Sequence, residues 1–182
     1  MAYLSGRGAP SYQRLGAARI LSLAIYEYHR RHGSVDAAID YAGETFRRNN
    51  FKQQKLLDSI IDRLEMYDNS FQALGNKVAS VAVRVGMDVG ELHLTGEIGR
   101  VDLAEYGYAA WVFQKEHVAW SDELRMPLIQ SHFAERFGVP SSEVSVGVYC
   151  FATGQHDCTT YPSAAIQQAI VETMGLGATL SA

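Results

Sequence analysis

Apolar positions recur at threes and fours through the first 75 residues and then switch to alternation. Leu15, Ala18, Leu21, Leu23, Ile25 and Tyr26 form a broad apolar face, predicting a helix over 12–32 that Gly33 ends. Arg30, Arg31 and His32 fall in its last turn, where cations suit the helix dipole. Ser34 reads as the N-cap of a second helix, 35–48, carrying Val35, Ala38, Ile39, Ala42 and Phe46. Leu56, Leu57, Ile60, Ile61, Leu64 and Tyr67 predict a third helix over 51–73, closed by Gly75-Asn76.

From Val78 to Val89 the period drops to two, the signature of a strand. Residues 91–95 and 97–104 read as two short strands, or as one strand broken at Gly96. Gly107 marks a turn. The apolar run Ala109-Ala110-Trp111-Val112-Phe113 then predicts a central strand over 108–117. A helix is expected over 121–137, begun by Ser121, with Asp122 and Glu123 in its first turn and Gly138 and Pro140 closing it. A strand over 143–152 follows. Ser163 caps a last helix, 164–174, before a tail opened by Gly175-Leu176-Gly177. A strand, a helix and a strand in succession imply a crossover and some parallel pairing. The expected fold is α/β, a mixed central sheet flanked by helices, with an N-terminal helical arm. The expected organisation is one domain over 1–182: a helical part to 75, an α/β core over 76–174 and a tail.

Composition adds limits. The chain has 182 residues, 47% hydrophobic and 20% charged, which excludes a disordered tail or a coiled-coil rod. No apolar run is long enough to span a bilayer, and no apolar signal segment opens the chain. Two cysteines, Cys150 and Cys158, make no disulfide framework, so the expected location is cytoplasmic. Net charge is −4 but unevenly spread. Residues 1–56 hold nine bases against four acids, a net +5, and the remainder carries −9. Arg30, Arg31, Arg47 and Arg48 are therefore candidate phosphate contacts; the alternative is a solvated helix surface.

Gly99-Arg100-Val101-Asp102-Leu103 resembles the G-R-(I/V)-D strand of the PD-(D/E)XK nuclease superfamily, in its RecB-like and phage-exonuclease branch. The element order resembles that branch as well. The resemblance implies a restriction-endonuclease-like core, with Asp102 in the position that holds a divalent metal. It also implies a following strand ending in (D/E)-x-K, an acid as second ligand and a lysine that positions water. Here that strand reads Phe113-Gln114-Lys115, so Lys115 remains and the acid is Phe113. The position of the family's N-terminal histidine holds Ile20, and those of the later helix's glutamine and tyrosine hold Arg125 and Ile129. Mg²⁺ wants converging hard oxygen ligands, which a phenylalanine does not supply. Glu116 is a substitute ligand if a bulge re-aims the strand.

The resemblance with these departures implies a nuclease-fold protein that has lost metal-dependent cleavage. Its expected role is to bind nucleic acid or to act as a scaffold in a larger complex, with no cofactor. The alternatives are an active, divergent Mg²⁺- or Mn²⁺-dependent nuclease using Asp102, Lys115 and Glu116, and a pure protein-interaction or virion structural protein, since the branch is common in phages; a phage-derived protein is expected in the virion instead of the cytoplasm. Partners on these readings are nucleic acid, other proteins or a second copy of the chain, and no membrane. Asp102 also has a structural reading, as a carboxylate paired with Arg100, Lys115 or a helix start. Alternation places Glu97 on the opposite face from Asp102. His117, His132, His156, Asp157 and Cys158 lack the paired spacing of a zinc site. Tyr106, Tyr108, Trp111, Phe113 and Trp120 are candidate base-stacking aromatics, or sheet core.

Overall fold

The computed structural model describes residues 15–180. Three helices come first: α1 (Ala17–Arg30), α2 (Val35–Arg48) and α3 (Gln54–Leu74). Ser34 caps α2 as expected, its hydroxyl accepting from Ala37 N–H, and Gly75 ends α3 in the left-handed conformation at φ 67°. The sheet comprises β1 (Lys77–Val89), β2 (Leu92–Ala104), β3 (Gly107–Gln114), β4 (Val144–Cys150) and β5 (His156–Thr159), in that spatial order. β1, β2 and β3 form an antiparallel meander; β3 and β4 are parallel; β5 returns antiparallel on β4. The crossover from β3 to β4 is α4 (Arg125–Phe137), and α5 (Ser163–Leu180) ends the described chain.

The sheet has a helical layer on each face. On one side Ile20, Ile25, Tyr28, Leu64 and Tyr67 of the arm pack with Tyr149 and Phe151. On the other, Met126, Ile129 and Phe133 of α4 pack with Val101, Ala110, Val146 and Val148. The α/β class, the mixed sheet and the helical arm all match the sequence reading.

Several details differ from it. Residues 92–104 form one continuous strand, with Gly96 inside. α4 starts at Arg125 rather than at Ser121. Residues 120–123 form a turn instead, with Glu123 N–H donating to Trp120 C=O, and Pro127 is accommodated in the helix's first turn. α5 runs through Gly175 and Gly177 to Leu180. Gly177 is buried against β2, where an added Cβ would sit 3.0 Å from Leu92 Cγ, so packing overrides its poor helix propensity. The short strand β5 was not expected at all. Residues 12–14 of the first predicted helix lie outside the described residues.

The alternation of β2 breaks at Gly99. Glu97 reaches Tyr26 and Arg19 of α1, and Arg100 reaches Tyr67 of α3, so the two face the same helical layer although three residues apart. Glu97 is thus on the same side of the sheet as Asp102, not the opposite one; strict alternation fails where β1, beside Gly99, is itself irregular, with Ala82 at φ 51°. The Phe113 ring covers that glycine. A Cβ at position 99 would lie 2.7 Å from its Cγ and Cδ1, and the ring cannot retreat far because Tyr26, Tyr67, Tyr149 and Phe151 surround it. Gly99→Ala is expected to destabilise by about 1–3 kcal/mol through overpacking. Urea unfolding checks this, and Phe113→Leu added to that variant should recover most of the loss.

Candidate functional site

Asp102 sits on β2 between the sheet and the arm and is fully buried. Arg100, two residues earlier on the same face, is also fully buried. Arg100 Nε lies 2.8 Å from Asp102 Oδ1. The Nε–H does not point along that line, so the contact is a charge pair rather than a directed hydrogen bond. The second carboxylate oxygen accepts from Trp111 Nε1 at 2.8 Å and, weakly, from Asn76 Nδ2 at 3.5 Å. Burial pushes the Asp102 carboxyl above its usual range, while Arg100, Asn76 and Trp111 pull it back.

The guanidinium makes the rest of the site. Nη1 donates to the Tyr67 hydroxyl, and Nη2 lies 3.2 Å from His156 Nε2. Its carbon stands 4.6 Å from the centre of the Phe71 ring, and Trp111 and Tyr67 close the cage. Arginine has only donors, so the Tyr67 oxygen accepts from it and sends its own proton on to His29 Nε2, 2.6 Å away. By the same logic His156 offers Arg100 a lone pair at Nε2. Both imidazoles are held neutral: burial first, then Arg100, push each down to about 3. Residues from α3, β2, β3 and β5 therefore meet on one buried cation, with His29 of α1 one hydrogen bond behind Tyr67.

The other sequence-singled residues do not join this cluster. Asp102 pairs across the sheet with Ala109, and β3 then runs five residues on to Gln114 before Lys115 and Glu116. At about 3.3 Å per residue, that places Lys115 and Glu116 more than ~15 Å further along the strand axis. They are exposed and pair with each other at 2.9 Å, and Lys115 holds the Glu116 carboxyl below its usual range. The position that touches Asp102 is Trp111, whose neighbourhood follows from the two-residue turn Glu105-Tyr106: with Ala104 opposite Gly107, Arg100 falls opposite Trp111. That turn was the signal available in the sequence. Among the described residues, no three His, Cys, Asp or Glu side chains converge in a way that would hold a metal ion. The donor set around Asp102 fits Mg²⁺ poorly: a single carboxylate meets N–H donors and a fixed cation where a metal would need oxygens.

The four arginines are split. Arg30 and Arg31 close α1 and Arg47 and Arg48 close α2, and the short 31–34 connection makes the two helices a hairpin. The pairs therefore lie at opposite ends, about 20 Å apart for 14-residue helices. Arg30 and Arg31 share Glu27, and Arg48 pairs with Glu44. Of the aromatics, Trp111 and Trp120 are buried, Phe113 and Tyr108 pack inside, and Tyr106 alone of the five is mostly exposed, at 82%.

No protein-family model matches the chain, and no curated protein matches it. A solved structure from Eubacterium rectale, named "Putative exonuclease", superposes with a TM-score of 0.52 over 88% of this chain, at 6% identity. The sheet and its flanking helices have a nuclease-like fold. The chain spans 64% of that protein's length. No helix among the described residues is long and apolar enough to cross a membrane.

Proposed function

We propose that this protein uses a nuclease-like fold to bind nucleic acid without cutting it. The observation that carries the reading is the state of Asp102: fully buried, its two oxygens are taken by Arg100 and Trp111, leaving no open side toward a metal or a phosphate. Cleavage assisted by a divalent ion needs a carboxylate that can share the ion with the phosphate oxygens and a water. Here the carboxylate instead neutralises a buried cation. The fold of the structural neighbour supports a nucleic-acid partner, and the exposed arginines at the ends of α1 and α2 supply charge for phosphate contacts.

Incubation with labelled DNA and RNA, in Mg²⁺ or Mn²⁺, should leave both substrates intact. Fluorescence anisotropy should detect binding that weakens as salt rises. Cleavage of either substrate that disappears in Glu116→Gln or Lys115→Met would restore the active-nuclease reading; those two exposed positions make better controls than Asp102, whose replacement disturbs the fold. Exchanging Arg30, Arg31, Arg47 and Arg48 for Glu should weaken binding by about tenfold or more. Unchanged affinity in that variant would remove these arginines from the interface.

A further inference from the structure

β1 stands at the edge of the sheet, and residues 83–89 are its regular stretch, bounded by Ala82 at φ 51° and by the turn residue Gly90 at φ 62°. Gly90-Glu91 is a two-residue turn, so Val89 and Leu92 form the hydrogen-bonded pair that closes the hairpin. Counted back in that register, Val89, Met87, Val85 and Val83 turn their backbone groups to β2, and Asp88, Gly86 and Arg84 turn theirs outward. The outward three are exposed, while the apolar four pack toward α4 and α5. Such an edge offers unpaired N–H and C=O groups, and this stretch has neither the proline nor the lysine that commonly blunts one. Its charges are Arg84 and Asp88, opposite in sign and equally spaced about Gly86. Arg84 has no ion-pair partner among the described residues, since Glu97 across the hairpin is held by Arg19 and Tyr26. Asp88 meets His93, an imidazole rather than a permanent cation, and its side chain remains 79% exposed.

We propose that two copies of this chain join edge to edge along β1, antiparallel about a two-fold axis at Gly86, so that both sheets continue as one. Gly86 then faces the copy's Gly86, and Arg84 faces the copy's Asp88 on either side of it. These are the outward-turned residues, so each such pair exchanges two N–H···O=C bonds. The glycine at the axis leaves the backbones free to approach and gives the flanking arginines room to reach the facing carboxylates. On the other face Val85 meets Met87 and Val83 meets Val89, which carries the apolar layer across the seam. The charges select this register. About Arg84 or Asp88, like charges would stand opposite each other; about Val85 or Met87, each charge would stand opposite a residue that has none. Only the axis at Gly86 pairs every charge with its opposite and uses the whole regular stretch. The same patch serves both copies, as closed two-fold symmetry requires.

The test is sedimentation velocity over a concentration series, on the wild type, Arg84→Glu, Asp88→Lys and the double variant. Both positions are exposed, so every variant should fold, and circular dichroism checks that it does. The wild type should sediment at twice its 20.1 kDa. Each single reversal sets like charges opposite each other at two symmetric places and should weaken the dimer by about tenfold or more. The double variant exchanges the signs and should restore it. A wild type that stays monomeric throughout overturns the proposal, as does a dimer that both single reversals leave intact or that the double variant fails to recover. Hydrogen exchange reads the edge itself: the Arg84, Gly86 and Asp88 amides should exchange slowly in the dimer and quickly in the single variants. A monomeric wild type in which those amides are nonetheless slow would mean that another part of the same chain covers the edge, and a dimer in which they exchange quickly would mean that the copies meet elsewhere; either result overturns the pairing.

Discussion

Arg100→Met is expected to be the most damaging single substitution in the sheet, lowering stability by about 3–5 kcal/mol in urea unfolding. The cation lies at zero exposure, 2.8 Å from an equally buried carboxylate. Removing it strands Asp102 without a countercharge in a buried site, takes the donor from Tyr67 and His156, and empties the aromatic cage. Asp102→Leu should be nearly as costly for the opposite reason, since it leaves the guanidinium uncompensated. The double variant Arg100→Met/Asp102→Leu should be more stable than either single one, because an apolar pair carries no desolvation cost. Additive losses in that cycle would show that the two charges are not coupled.

Lowering the pH from roughly 7.5 to about 5 should destabilise the protein by about 2–4 kcal/mol through His29 and His156. Each is held down to about 3 in the fold, whereas the unfolded chain titrates near the ordinary value of 6.5. Between those values the unfolded state binds more protons, so stability is complete above the unfolded value and drains away as the pH falls toward the folded one. The figure is set below the full linkage value because His156 is partly exposed to solvent. Glu97, held low by Arg19, loses its own contribution only below about 4.5 and so lies outside this window. Urea titrations across the range test the slope. His29→Gln and His156→Gln keep a polar partner without a titrating ring and should flatten it; a protein equally stable at both ends would exclude the buried imidazoles as its source.

Much of the architecture was readable because it is local. The α2 cap at Ser34, the α3 stop at Gly75 and the change of period near Val78 are short-range signals, and each appears where the pattern put it. Of the readings left open for Asp102, the pairing with Arg100 was visible as two opposite charges at i and i+2 on one strand. Its remaining partners were not. Trp111 comes to Asp102 through hairpin register, and Tyr67, His29 and His156 come from elements 33 to 71 residues away from Arg100 in the chain or brought in by tertiary packing. Glu97 lies on the other face from the one alternation gives because the sheet is irregular beside Gly99, where Ala82 of β1 has φ 51°. α5 outran its expected end because Gly177 is chosen for close packing on β2 rather than for its dislike of helices.

The arm has often the look of an attachment in such a chain, three helices followed by a sheet. The Arg100 cluster gives it another standing. A guanidinium that rises from β2 and bonds simultaneously to α3 and β5, with α1 hydrogen-bonded one step behind, ties the two layers through groups that cannot be parted one at a time. Lifting any one of these helices would admit water to every member at once, so the arm and the sheet come apart as a single cooperative unit, and a protease would find no intermediate in which the helices are loose and the strands intact.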